Sequence, residues 1–268
     1  MKKYLFLVTI LFLGACEDVI DISLPTSPTR LVIDAVIGID EIDGDITTVG
    51  QVRLTLTASF LDEEVLPAEG ATVSITNLTT DEVFVLDESE PGTFNIGLPI
   101  FEFDTDYRLE VVHNGENYES IQQLARSGTI NNVVQGDGFL LDQEKETEVI
   151  ITFTDVPNER NYYLFAFGTD DFLTTDDEFY RNNVFTFSYF YENLNPGDLQ
   201  LITLLGINKG FSRYASIVIQ QSGVDGGGPF TNPPSSVRGN IINTSNPENY
   251  PLGYFALSEF DFVSITIE

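Results

Sequence analysis

The run Phe101-Glu102-Phe103-Asp104-Thr105-Asp106-Tyr107-Arg108-Leu109-Glu110-Val111-Val112-His113-Asn114-Gly115-Glu116-Asn117-Tyr118 decides how this chain is read. Phe101, Phe103, Thr105, Tyr107, Leu109 and Val111 occupy every second position, the period that places one set of side chains on a single face of a β-strand. Asn114-Gly115 is the two-residue signal for a type I′ turn, whose positive φ angles match the right-handed twist of two paired strands. Strand, turn and return strand are all specified locally. His113 lies one residue before the turn and is expected to be exposed on the hairpin. As the single histidine of the chain it makes a poor metal site or catalytic base.

The same alternation runs upstream. Leu31 to Ile37 is strand-like; Val52, Leu54 and Leu56 alternate with Arg53, Thr55 and Thr57; Ala71, Val73 and Ile75 alternate with Thr72, Ser74 and Thr76. With Glu90-Pro91-Gly92-Thr93-Phe94 ahead of it, the hairpin resembles the last strands of an immunoglobulin-like or fibronectin-III-like sandwich. Tyr107 stands where such folds place a corner tyrosine whose hydroxyl bonds back to the main chain. Residues 30–126 are expected to form an immunoglobulin-like β-sandwich domain that folds by itself.

Residues 126–138 are rich in Gly and Asn and could join two domains. Residues 127–268 then read as a second β-rich domain with a strongly aromatic pattern: Val149, Ile151, Phe153; Tyr163, Phe165, Phe167; Phe185, Phe187, Tyr189, Tyr191; and Val263, Ile265, Ile267. The expected role of those rings is a sandwich core, with a ligand-stacking platform as the alternative; the chain has no Trp, the usual sugar-stacking residue. One segment breaks the alternation. Phe211, Tyr214, Ala215 and Val218 recur at helical spacing, with Asn208 as a cap and Gly223 as a stop, so a single short helix is expected to pack across the second sheet, although the run Ile217-Val218-Ile219 would equally suit a strand. The whole is a mainly β fold.

Acids outnumber bases 42 to 12 and the formal net charge is -30. Such a field repels nucleic acid, which excludes that class of partner. One Cys and one His leave no zinc cluster and no disulfide framework. Lys2 and Lys3 followed by the apolar stretch Tyr4 to Leu13 form an export signal over residues 1–15, too short for a spanning helix. Leu13-Gly14-Ala15-Cys16 matches a bacterial lipobox, so Cys16 is expected to carry the lipid and to begin the mature chain, with residues 16–29 as an acidic, Pro-containing tether. Multiple acyl chains on one residue anchor a protein stably where a single chain does not.

Acid clusters stand at Asp40, Glu41, Asp43, Asp45 and at Asp170, Asp171, Asp176, Asp177, Glu178. Neither fits the spaced calcium loop of an EF-hand, so solvated loops are expected and no cofactor, with calcium as the weaker alternative. Gly223, Gly226, Gly227 and Gly228 precede Pro229 without the Lys and Ser/Thr of a phosphate cradle. No nucleophile elbow or metalloprotease motif occurs, and no catalytic residue is assigned.

Several of these segments together resemble one family. They are Glu17-Asp18-Val19-Ile20-Asp21 behind the lipobox, the strand Leu31 to Ile37, Gly70-Ala71-Thr72-Val73, and a C-terminal series. That series runs Gly228, Pro229, Phe230, Pro233, Pro234, Val237-Arg238-Gly239-Asn240-Ile241 and then Leu252-Gly253-Tyr254-Phe255. The chain is similar over nearly its whole mature length to outer-membrane lipoproteins classed as domain of unknown function 4249. The resemblance implies an accessory role beside a TonB-dependent receptor in nutrient uptake, on the cell surface or facing the periplasm, and no catalytic residue can be carried over from it. The alternatives from other classes are a surface hydrolase with paired carboxylates and a structural or adhesive coat protein. A partner surface is expected on the second domain, where Arg213, Arg238 and Phe230 lie among the excess aromatics.

Overall fold

The computed structural model describes residues 28–42, 45–58, 65–97, 101–143, 145–169, 171–222 and 237–268. Cys16, the acidic tether behind it, Asp43, Asp170, the glycines 223–228 and Phe230 lie outside the described residues.

The first half supplies β1 (Leu31–Ile42), β2 (Asp45–Leu56), β3 (Thr72–Asn77), β4 (Val83–Val85), β5 (Asp87–Glu90), β6 (Thr93–Asn95), β7 (Tyr107–His113) and β8 (Glu116–Gln122). Strand order β1-β2-β6-β5 faces β8-β7-β3-β4, which is the ABED and GFCC′ arrangement of an immunoglobulin-type sandwich. The core between them joins Ile33, Ile37, Leu54 and Phe94 from one sheet to Ile75, Leu109 and Val111 from the other. The turn is built as expected, with Asn114 at φ 52° and Gly115 at φ 78°.

Tyr107 is fully buried. Its hydroxyl accepts the Glu102 main-chain N–H at 2.8 Å, and its ring meets Phe101 edge-on at 4.8 Å, so it is the corner tyrosine. Tyr107→Phe leaves a main-chain donor without its partner and is expected to lower stability by about 1 kcal/mol; a denaturant midpoint equal to that of the unmodified chain would contradict this role. His113, by contrast, is buried rather than exposed. It shares the inward face with Tyr107, Leu109 and Val111, and the tight turn that follows does not release it.

The second half supplies β9 (Leu124–Ala125), β10 (Thr129–Gln135), β11 (Glu146–Thr154), β12 (Tyr162–Phe167), β13 (Asp171–Asp176), β14 (Val184–Glu192), β15 (Leu199–Ile207), α1 (Lys209–Gln221), β16 (Ile242–Asn243) and β17 (Leu252–Thr266). Much of the Asn-rich stretch expected as a linker is β10, held by burial of Ile130 and antiparallel pairing with β11. Order β10-β11-β14 faces β17-β15-β12-β13, again ABE against GFCC′. The second half is therefore a sandwich of the same type, with α1 and β16 inserted between its last two strands. Its rings are core. Phe153 is met edge-on by Tyr163, Phe165, Tyr180, Phe185 and Phe187 at centroid distances from 5.3 to 6.3 Å.

β17 welds the two sandwiches. Its first eight residues pair parallel with β1, from Val32↔Leu252 to Ile39↔Glu259, and Phe260 to Thr266 pair antiparallel with β15. The opposite edge of its first half is taken by β9 at Leu257 and Ser258, while β16 pairs with β8. The pairing thus returns residues 242–243 and 252–259 to the first sandwich, which residues 30–126 alone leave unfinished. Gly253 makes the parallel approach possible: its φ is +93° and a Cβ there would lie 2.0 Å from the Ile33 carbonyl oxygen, so only glycine fits.

Phe255 and Leu257 enter the first core and Val263 and Ile265 pack on the second, so both cores lie on one side of a continuous nine-stranded sheet. On the other side Tyr254 and Ala256, with Leu164 and Ile207, receive Phe211 and Ala215 of α1. The Asn208 side chain caps the helix by accepting from the Phe211 N–H at 2.8 Å. Val218 stays 39% exposed and Ile219 packs in its place, because the end of α1 lies toward β13, where Ser216 and Thr174 share a hydroxyl hydrogen bond of 2.8 Å.

Candidate binding face

The side of the nine-stranded sheet that carries α1 is also its chemically richest surface. In-register pairing sets Tyr254, Asp34 and Arg53 side by side across β17, β1 and β2, a span of ~10 Å at ordinary strand spacing. Phe211 and Tyr214 lean on the Tyr254 ring at 4.9 and 5.0 Å. Asp34 is exposed at the surface, yet the protein packed around it withdraws enough water to raise its carboxyl above the ordinary range, and the Arg53 guanidinium pulls it partly back. The Tyr214 hydroxyl is pushed up by burial and then by the Asp34 charge. Beyond Arg53 lies a shallow polar depression of about 450 Å³ lined by Gln51, Arg53, Ser89, Glu90, Thr93 and Asn95.

Toward the start of β1 the face ends in a stack of three side chains. Tyr250 lies between two guanidiniums, that of Arg30 at 3.7 Å and that of Arg238 at 3.5 Å from its ring centroid. Arg30 also donates to the carbonyls of Glu248 and Tyr250 at 3.3 and 3.1 Å. A cation over a tyrosine face is attracted by the ring quadrupole, so the ring holds both guanidiniums without neutralising them. The loop that presents Tyr250 is fixed by Glu116. Its carboxylate accepts from Tyr118, Asn243, Asn246 and Asn249 at 2.6 to 3.0 Å. Those donors, Tyr118 foremost, pull the Glu116 carboxyl down to about 2.

The positive charges divide sharply. Of the ten Lys and Arg after Lys3, five are ion-paired: Arg108 with Glu110, Arg126 with Asp104, Lys145 with Asp142, Arg160 with Asp176 and Arg181 with Asp177. Arg30, Arg53, Lys209, Arg213 and Arg238 have no carboxylate at ion-pair distance among the described residues. Arg53 alternates with the core residues Val52 and Leu54 and so faces the α1 side, Lys209 and Arg213 are exposed and one helical turn apart on α1, and Arg30 and Arg238 flank Tyr250 just ahead of β1 and β17. The sequence-predicted Arg213 and Arg238 thus fall in different settings, one on the helix and one on Tyr250. Arg30, Arg53 and Tyr250 are not legible as site residues in the sequence. The readable part of the signal is that Arg53 occupies an outward position of an alternating strand.

Two acids of the second cluster, and Asp155 outside it, have structural employment. Asp176 caps the turn after β13 by accepting from the Glu178 N–H at 3.0 Å. Asp177, fully buried, holds the Arg181 guanidinium at 3.0 and 3.4 Å. Buried Asp155 accepts from the Tyr163 hydroxyl at 2.6 Å and the Asn182 N–H at 2.7 Å. Among the described residues no group of three or more His, Cys, Asp and Glu is placed to hold a metal ion.

A second exposed feature is apolar. Phe139, Leu140 and Leu141 are 50, 67 and 91% exposed on the connection between β10 and β11. Their loop is pinned by carboxylates, with Glu146 accepting from the Leu140 and Leu141 N–H groups at 2.6 and 3.0 Å and Glu148 from that of Gly138 at 2.8 Å. Consecutive exposed apolar residues on a pinned loop are a mark of an interaction surface.

The sequence profile of the family described as Domain of unknown function (DUF4249) matches residues 17–261. The chain belongs to this family. No curated protein matches it. Among solved structures, the FN1–FN3 domains of chicken CNTN1 are similar at 12% identity over 67% of this chain and 60% of that one, with a TM-score of 0.19. The strand orders given above, not that likeness, establish the sandwich type of this DUF4249 chain.

Proposed function

We propose that this DUF4249 protein is a lipid-anchored cell-envelope binding module, accessory to a TonB-dependent outer-membrane receptor in nutrient uptake, and that it meets its partner with the α1 side of the nine-stranded sheet. The observation that carries the reading is that Arg53 on the sheet, Lys209 and Arg213 on α1, and Arg30 and Arg238 around Tyr250 have no carboxylate at ion-pair distance among the described residues. Arg and Tyr are the residue types that dominate partner interfaces. The pinned apolar loop supports the same class of function.

Anchoring is carried by Leu13-Gly14-Ala15-Cys16, and no helix among the described residues is long and apolar enough to cross a membrane. Cys16→Ala is therefore expected to move the protein from the membrane pellet to the soluble fraction with its unfolding midpoint unchanged. A variant that stays in the pellet with no partner present would sink the lipid-anchor reading.

A further inference from the structure

We infer that the α1 side of the sheet recognises a carboxylate-rich, extended segment of a protein partner; the inference rests on the binding role proposed above. Arg53 sits among the amide and hydroxyl groups of Gln51, Asn95, Thr93 and Ser89, a setting that offers hydrogen bonds to a peptide main chain while the guanidinium takes a side-chain carboxylate. Arg238 and Arg30 stand ~13 Å farther along, four residues of strand from the Asp34–Arg53 pair. No single small anion bridges that distance, whereas an extended peptide does.

The rest of the surface selects the size of the ligand. A net charge of -30 repels a large polyanion at long range. A short acidic segment meets chiefly the local field, set by Arg30, Arg53, Arg238, Lys209 and Arg213 against Asp34, Asp87, Glu90 and Glu248. Planar guanidiniums held against a ring are pre-oriented for the forked geometry of a carboxylate.

The test is binding of a fluorescent polyglutamate peptide of about ten residues, which spans ~33 Å when extended, to the full-length protein in detergent. Arg53→Gln and Arg238→Gln are each expected to weaken binding about tenfold, and added salt to weaken it further. Lys145→Gln, remote and ion-paired, leaves it unchanged. Arg213→Gln, on the exposed side of α1, weakens binding without touching the Tyr250 stack, so a loss in Arg238→Gln that came from a disturbed loop would be recognised. Equal binding by the unmodified protein and the Arg53→Gln/Arg238→Gln double variant, with unchanged circular dichroism, overturns the inference. So does tighter capture of a sulfated glycan or of anionic vesicles on the same arginines. Peptide binding retained by Cys16→Ala separates a failure of the anchor from a failure of this face.

Discussion

A chain truncated after residue 236 is expected to lose the sharp unfolding transition of the intact protein, and a fragment of residues 28–126 to show none. Phe255, Leu257 and Ile241 are 0, 2 and 6% exposed in the first core, and removing a large apolar side chain from such a place costs about 2–5 kcal/mol. Together they represent most of the ~5–15 kcal/mol that keeps a domain folded. Truncation also leaves β1 with a bare edge where eight residue pairs had been, an invitation to aggregation. Thermal unfolding followed by circular dichroism decides the matter. A cooperative transition of the 28–126 fragment near the midpoint of the whole chain would show that β17 is an accessory to the first sandwich and not part of it.

Phe153→Ala is expected to cost about 3–5 kcal/mol, the range for deleting a buried ring. The five edge-on ring contacts of Phe153 argue for the upper end, because such pairs add to simple burial. Because β17 is common to both sandwiches, the loss is expected to lower a single shared transition and not to split it. Thr186→Ala, on the exposed strand β14, stays within about 0.5 kcal/mol. A Phe153→Ala protein with an unshifted urea midpoint would mean that the aromatics of the second sandwich form a platform and not a core.

What could be read from the sequence is what short-range chemistry specifies. Asn114-Gly115 demands positive φ at two successive residues, Tyr107 needs a main-chain partner a few residues away, and Asn208 caps the helix whose first buried residue is Phe211. Each is settled within a few residues. The course of β17 is not. Tyr254 to Leu257 is a continuous apolar run, as in a strand buried on both faces, and Val263 to Ile267 alternates, but nothing in either pattern says that the first half pairs parallel with β1 while the second half pairs antiparallel with β15. Only Gly253 marks the place, and its meaning depends on the Ile33 carbonyl. His113 was legible by the period-2 rule, which puts it on the inward face with Val111; nearness to the turn is the weaker indicator.

The binding face fails to show in the sequence for a related reason. Arg30, Arg53 and Arg238 are far apart in the chain and become neighbours through β1, β2 and the loop ahead of β17. Part of their want of carboxylates is already local: no acid stands between Asp45 and Asp62 around Arg53, or between Asp225 and Glu248 around Arg238. The aromatic excess pointed to the second sandwich as an interaction surface, but Phe153, Tyr163, Phe165, Phe167 and Tyr191 face inward from β11, β12 and β14. The aromatic members of the face, Tyr250, Tyr254 and Tyr214, come from the segments inserted between β15 and β17 and from the strand that follows.

The most direct measurement is photo-crosslinking in cells that make the protein, with a photoreactive residue at Gln51 in the polar depression or at Thr186 on the far three-stranded sheet. The account predicts an adduct from Gln51, identified by mass spectrometry as a TonB-dependent receptor, and none from Thr186. Receptor adducts from Thr186 alone, or from neither position, would contradict it.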